Sequence, residues 1–175
     1  MEVVNQFRGR LDTVLVMYIT NRPMGSNYFM QQESLSNLYL TATLIEDYQM
    51  KHAFYTSDSK FTASDSFLLT TKKLSVNDTV AVANSDFYAF LEARVNRVTG
   101  SPENDKSVFN RITFIDSTFT VSDYKDYLFF TSTREVAKWK NTEDRTEILD
   151  SLISRVSDAD IKRFLIQNIQ NDTAT

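Results

Sequence analysis

The residues of this chain best suited to chemistry are a single histidine, two groups of carboxylates and a large pool of hydroxyls. His52 is the only imidazole. A general base needs an orienting partner and a reacting group within hydrogen-bond reach, and no neighbour in sequence supplies either. It reads as a partly buried side chain in a strand, on the face shared with Met50 and Phe54. Paired acids can hydrolyse glycosides or hold a divalent cation, and they occur as Glu46-Asp47 and as Glu143, Asp144, Glu147 and Asp150. The second group falls on one side of a helix near its start, where negative charge is favoured by the macrodipole, so it reads as a solvated face. The segment 58–67 lacks the central glycine of an EF-hand loop. Serine and threonine make up about a fifth of the chain, so chance Ser–Lys and Ser–Asp neighbours carry no information. The Gly-x-Ser-x-Gly elbow is missing.

The residue types that are scarce narrow the chemistry further. With no cysteine there is no thiolate nucleophile, disulfide or thiolate metal site. The three glycines, Gly9, Gly25 and Gly100, stand far apart. A phosphate cradle needs them clustered, because the backbone must approach the ligand closely. These observations predict a protein that is not an enzyme, with no catalytic, cofactor-binding or metal-binding residue.

Length and charge set the class. At 175 residues one core is expected, much of it built from thirteen Phe and eight Tyr. A net charge of −4 disfavours general attraction to nucleic acid or to an anionic membrane. No run approaches the ~20 apolar residues of a membrane helix. The start Met1-Glu2-Val3-Val4-Asn5 has no basic n-region, which predicts synthesis in the cytoplasm. The sequons at Asn77 and Asn171 then read as turn and tail residues.

The elements that must position any site follow from periodicity. Val3, Val4, Phe7, Leu11, Val14, Leu15 and Tyr18 predict an amphipathic helix over 3–20, stopped by Pro23. The segment 34–50 carries both helical and alternating patterns and is assigned to a helix capped by Ser34. Strands are predicted at 49–56, 66–74 and 79–83, with a turn at Ser57-Asp58-Ser59-Lys60. Ser85, Phe87, Phe90, Leu91, Arg94, Val95 and Val98 predict a helix ending at Gly100 in the left-handed C′ conformation. The Thr-, Phe-, Ile- and Tyr-rich segments 110–116, 118–121 and 127–134 suit a pleated surface and predict further strands. Two stripes, Ile148 to Val156 and Ile161 to Ile169, predict a helical hairpin with a cap at 157–160.

The predicted fold is therefore α+β: a mainly antiparallel sheet packed by the N-terminal helix and the central helix, closed by a C-terminal helical hairpin. Residues 1–140 form the core domain and 141–175 the hairpin appendage of the same domain. Candidate interface residues are Tyr28, Phe29 and Met30, an apolar phrase in a polar loop, with Trp139 between lysines and Phe164 and Ile169 on the last helix.

The functional expectation is a non-catalytic structural or assembly subunit acting through protein–protein contacts with itself, as a homo-oligomer, and with neighbouring structural proteins. Scarce Gly, absent Cys and abundant Asn, Ser, Thr and aromatics suggest, by analogy of composition, a phage virion component of the head–tail or tail. One alternative is a small cytoplasmic binding protein or inhibitor of a host enzyme. Another is a DNA-associated regulator that uses the terminal helix pair, with Lys162, Arg163, Gln167, Asn168 and Asn171 toward a groove. No segment carries a motif that places the chain in a family.

Overall fold

The computed structural model describes residue 13 and residues 27–58, 60–139 and 143–172. The described residues form seven α-helices and one short 3₁₀ turn, with no strand among them. The chain divides into two compact units, the first running to Arg97 and the second from Val98.

In the first unit, α1 (Asn27–Thr56) is followed by α2 (Asp65–Lys72), the 3₁₀ turn Thr79–Ala81 and α3 (Ser85–Thr99). The core is aromatic. Tyr39 of α1 meets Phe87 edge-on, with ring centroids 4.6 Å apart, and lies 5.5 Å from Phe90. Such geometry suits the ring quadrupoles. All three rings are buried, together with Ala42, Ile45, Leu68, Leu91 and Val95. The Tyr39 hydroxyl cannot be buried unpaired, and it donates to Asp78 Oδ2 at 2.7 Å. Asp78 also caps the 3₁₀ turn by accepting from Val80 N. Asn84 ties α3 to α1 from the cap position. Its Oδ1 accepts from Phe87 N, and its Nδ2 donates to Ser36 Oγ at 2.9 Å and to Gln32 O.

α1 ends at Ser57, whose φ of +57° is the left-handed conformation. That region costs an L-residue roughly 1 kcal/mol that glycine does not pay. Glycine also adds about 0.5 kcal/mol of unfolded-chain entropy, so Ser57→Gly is expected to stabilise the first unit by about 0.5 kcal/mol, read as a rise in the urea midpoint at unchanged slope.

In the second unit, α4 (Asp105–Thr118), α5 (Ser122–Ala137), α6 (Glu143–Arg155) and α7 (Ala159–Asp172) follow one another. Asn104 and Ser107 form a reciprocal capping box at the start of α4. α5 is the central helix and packs against α4, α6 and α7. Its Tyr124, Leu128, Phe129 and Val136 are buried, as are Val108, Ile112 and Ile115 of α4, Ile148 and Leu152 of α6, and Leu165 of α7. Two polar pairs lie among them. Arg111 Nε donates to Ser132 Oγ at 2.6 Å, and the Asp126 carboxylate accepts from the turn between α6 and α7.

The structure overturns the α+β expectation. The segments 49–56, 110–116 and 127–134, predicted as strands, lie within α1, α4 and α5, while 66–74 forms most of α2 and 79–83 contains the 3₁₀ turn. Segment 118–121 joins α4 to α5. The cause is the hydroxyl-rich composition. Thr113, Ser117, Ser132 and Thr133 each donate to the carbonyl four residues back, as do Thr41, Thr43 and Thr56. A threonine whose hydroxyl is satisfied within its own helix needs no pleated neighbour. The helix at 34–50 is present and longer than predicted, since Ser34 lies inside α1. The central helix is observed, with Gly100 at φ +79° after it, and so are the two terminal helices. Of the predicted helix at 3–20, only Thr13 falls among the described residues, and it is helical.

Candidate contact surfaces

Two surfaces gather the residues singled out from sequence. The first is the outer face of α1. Tyr28, Phe29 and Met30 lie in the first turn of that helix rather than in a loop. Phe29 is exposed there, as are Leu40, Leu44, Phe54 and Tyr55 further along, while Tyr28, also exposed, stands on the other side of the helix, five turns before Glu46. Apolar residues thus occupy both the inner and outer sides of α1.

The second surface is a groove in the second unit, about 480 Å³ in volume. One wall is the last two turns of α5, with Phe130, Thr133, Arg134 and Ala137 leading to Lys138. The other wall is α7, with Phe164, Leu165, Asn168 and Ile169. Phe130 and Phe164 pack on each other where the two walls meet, with centroids 6.2 Å apart. Arg134 lies over the Phe130 ring at 5.7 Å, a cation–π contact. Phe164 is 53% exposed.

The polar groups in the groove are already engaged. Thr133 Oγ1 donates to Phe129 O, and Asn168 Nδ2 donates to Phe164 O. A small-molecule site needs a few polar groups converging on the ligand. This groove offers apolar walls with two cations, Arg134 and Lys138, at its edge. The pairing of Lys138 with Glu135 is a surface contact at 2.6 Å, and such pairs exchange readily with water and other anions.

Trp139 is placed differently from Phe164 and Ile169. Its indole N–H donates to Pro102 O at 3.0 Å, so it fastens the segment before α4 to the end of α5 and is half-buried. Phe130 and Arg134 are not among the residues the sequence singles out, because the composition of 127–134 predicts a strand. The signal that could have found them is the helical spacing of Phe130, Arg134 and Ala137.

The groups considered for chemistry are engaged in structure. His52 stacks on Phe61 at 3.8 Å between centroids and has Thr56 Oγ1 3.3 Å from Nδ1. Glu46 is fully buried against Arg94 and Arg97. Asp47 pairs with Lys51 one turn away. Asp144, Glu147 and Asp150 are exposed along α6. No group of three or more acids or histidines among the described residues is placed to hold a metal, and no described helix is long and apolar enough to cross a membrane.

The terminal helix pair presents negative charge where a groove-reading helix needs the opposite. Asp158 Oδ1 accepts from Asp160 N and Ile161 N, and Asp126 accepts from Ser157 and Asp158 beside it. Two carboxylates there repel a phosphate backbone. Arg163 is turned toward Asp160, and Lys162 toward Ser154 O. No family model, curated protein or solved structure matches this chain.

Proposed function

We propose that this chain is a non-catalytic assembly subunit whose second unit holds an acidic, apolar-anchored segment of a neighbouring protein. The observation that carries the reading is the α5–α7 groove, which joins a packed pair of phenylalanines to a rim of Arg134 and Lys138. An amphipathic helix with apolar residues at i, i+3 and i+4 and carboxylates between them matches both features. Its side chains would replace water on Phe164 and its acids would meet the rim. Non-catalytic action is supported by the use of both buried carboxylates among the described residues, Glu46 and Asp126, in packing.

A designed helical peptide with Leu and Phe anchors and intervening Glu, labelled for fluorescence polarisation, tests this directly. Binding should be in the micromolar range and weaken about tenfold or more in Phe164→Asp and Arg134→Glu. The Lys-for-Glu version of the peptide should not bind. Equal binding by both peptides, or indifference to Phe164→Asp with helicity intact, would remove the groove from the account. The setting we propose, on composition, is a virion; the chain should then be found in stoichiometric amount in purified particles by mass spectrometry, and its absence would exclude that setting.

A further inference from the structure

The two walls of the α5–α7 groove run in the same direction. Near the start of both helices, Asp126 of α5 accepts from Ser157 N and Asp158 N, which lead into α7. Further along both, Phe130 packs on Phe164. Further still, Ala137 and Lys138 share the groove with Asn168 and Ile169. The C-terminal ends of both helices therefore lie at one end of the groove. Aligned peptide dipoles give each such end about half a negative charge. Arg134 and Lys138 stand toward that end, and no carboxylate is among the described residues that line the groove.

We infer that the groove takes a helix of a different protein, antiparallel to α5 and α7, with its carboxylates in its first two turns. The inference rests on the groove being the binding surface and adds the direction and pattern of what binds. Two effects choose the direction. Antiparallel, the positive N-terminal end of the incoming helix meets the negative ends of α5 and α7; parallel, three negative ends come together. Antiparallel, the acids that meet Arg134 and Lys138 also stand at the end of their own helix where acids are favoured. In a parallel helix, acids reaching the same cations must occupy the last turns, against their own dipole.

Spacing along α5 gives the pattern. Lys138, Arg134 and Phe130 follow one another at about 6 Å, little more than one turn each. An antiparallel helix with an acid level with Lys138 presents its i+4 position to Arg134 and its i+7 and i+8 positions to the Phe130–Phe164 pair. The first two take acids. The last two are apolar, since half-exposed Phe164 lies there and the neighbouring Thr133 and Asn168 donate within their own helices. Lys138 and Glu135 pair on the surface, so an incoming acid displaces Glu135 at little cost. This chain does not supply the pattern to a second copy. Its one pair of acids at i and i+4 is Glu143 and Glu147, and these are followed by Asp150 and Ser151 at i+7 and i+8.

Two stapled peptides of about sixteen residues, of equal helicity by circular dichroism, test the direction against the full chain. One carries Glu at i and i+4 of its first two turns and Leu at i+7 and i+8; the other is the same sequence reversed. By fluorescence polarisation the first should bind about fivefold or more tightly than the second. Direction is also read by NMR. A nitroxide on the first residue of the bound peptide should broaden the amides of Lys138 and Ile169, and one on its last residue those of Asp160 and Ile161. Equal affinity, or the opposite broadening, would overturn the direction; if Phe164→Asp still weakened both peptides about tenfold, the groove would stand as the binding surface without it. Binding by neither peptide would overturn the groove and the direction together. An oligomer of the chain alone that the first peptide dissociates in sedimentation equilibrium would make the occupant a second copy and overturn the assignment to a different protein.

Discussion

Glu46→Ala is expected to destabilise the first unit by about 3–5 kcal/mol, the usual cost of leaving a buried charge without its partner. The Glu46 side chain is completely buried, and the side chains of Arg94 and Arg97 are only 11% and 17% exposed. One carboxylate oxygen accepts from Arg94 Nε at 2.7 Å, and the other from Arg97 Nε. Truncation leaves two nearly buried guanidiniums beside a hole, with no anion between them. For a unit of this size the loss corresponds to a fall in melting temperature on the order of 15 °C, read by circular dichroism. Glu46→Gln keeps the volume and one acceptor but not the charge, so it should fall between Ala and the parent. Replacing Glu46, Arg94 and Arg97 together by methionine should recover much of the loss, because apolar groups of similar volume need no counter-charge. Recovery should be incomplete. Arg94 also donates to Thr71 O at 2.6 Å and lies over Phe90 at 5.1 Å, so its removal orphans a carbonyl that holds α2 to α3. A loss under about 1 kcal/mol for Glu46→Ala would show that water reaches the guanidiniums and that aromatic packing alone joins α1 to α3.

These buried polar groups also explain what could and could not be read from sequence. The central helix was legible because its inward residues, Phe87, Phe90, Leu91 and Val95, are apolar and its end is marked by Gly100. The terminal helices were legible for the same reason, with Leu149, Leu152, Val156 and Leu165 buried in helical register. The helices at 105–118 and 122–137 were not, because part of their inward face is polar. Arg111 lies between Val108 and Ile112, and Ser132 and Thr133 between Phe129 and Val136, all buried. Counting apolar residues alone breaks that stripe, and what remains of Thr, Phe, Ile and Tyr resembles a strand composition. Hydrogen bonds such as Arg111 to Ser132 across helices, and Ser132 and Thr133 to carbonyls of their own helix, make the interior placement tolerable.

The candidate surfaces were legible in the same uneven way. Phe164 and Ile169 were found from the stripe of the last helix, yet the opposing wall with Phe130 and Arg134 was hidden by its strand-like composition. Tyr28 and Phe29 were found as an apolar phrase, but a phrase gives no direction. It is the length of α1, thirty residues without a break, that puts Phe29 on the side of Leu40 and Phe54 and puts Tyr28, five turns before Glu46, on the buried side.

Asp126→Ala is expected to detach α7 from α5 and, through that, to open the groove. Asp126 is 4% exposed, and its carboxylate accepts from Ser157 N at 2.7 Å, Ser157 Oγ at 2.7 Å and Asp158 N at 2.9 Å. These donors belong to the turn that enters α7, where negative charge also meets the positive end of the helix dipole. Removing the carboxylate leaves two backbone N–H groups and a hydroxyl without their acceptor. Each orphaned group costs about 1–3 kcal/mol, and entry of water limits the total to about 3 kcal/mol. In native-state hydrogen exchange, the amides of α7 should then lose about a hundredfold in protection, while those of the core of α4 and α5 change less. Asp126 does not line the groove, so a loss of peptide affinity in this variant would report the position of Phe164 and Leu165 rather than a lost contact. Asp126→Asn should be intermediate, since its oxygen serves one donor and its amide hydrogens oppose another. If α7 keeps its protection in Asp126→Ala, burial of Val156 and Leu165 is what fixes the turn, and the groove owes its shape to apolar packing alone.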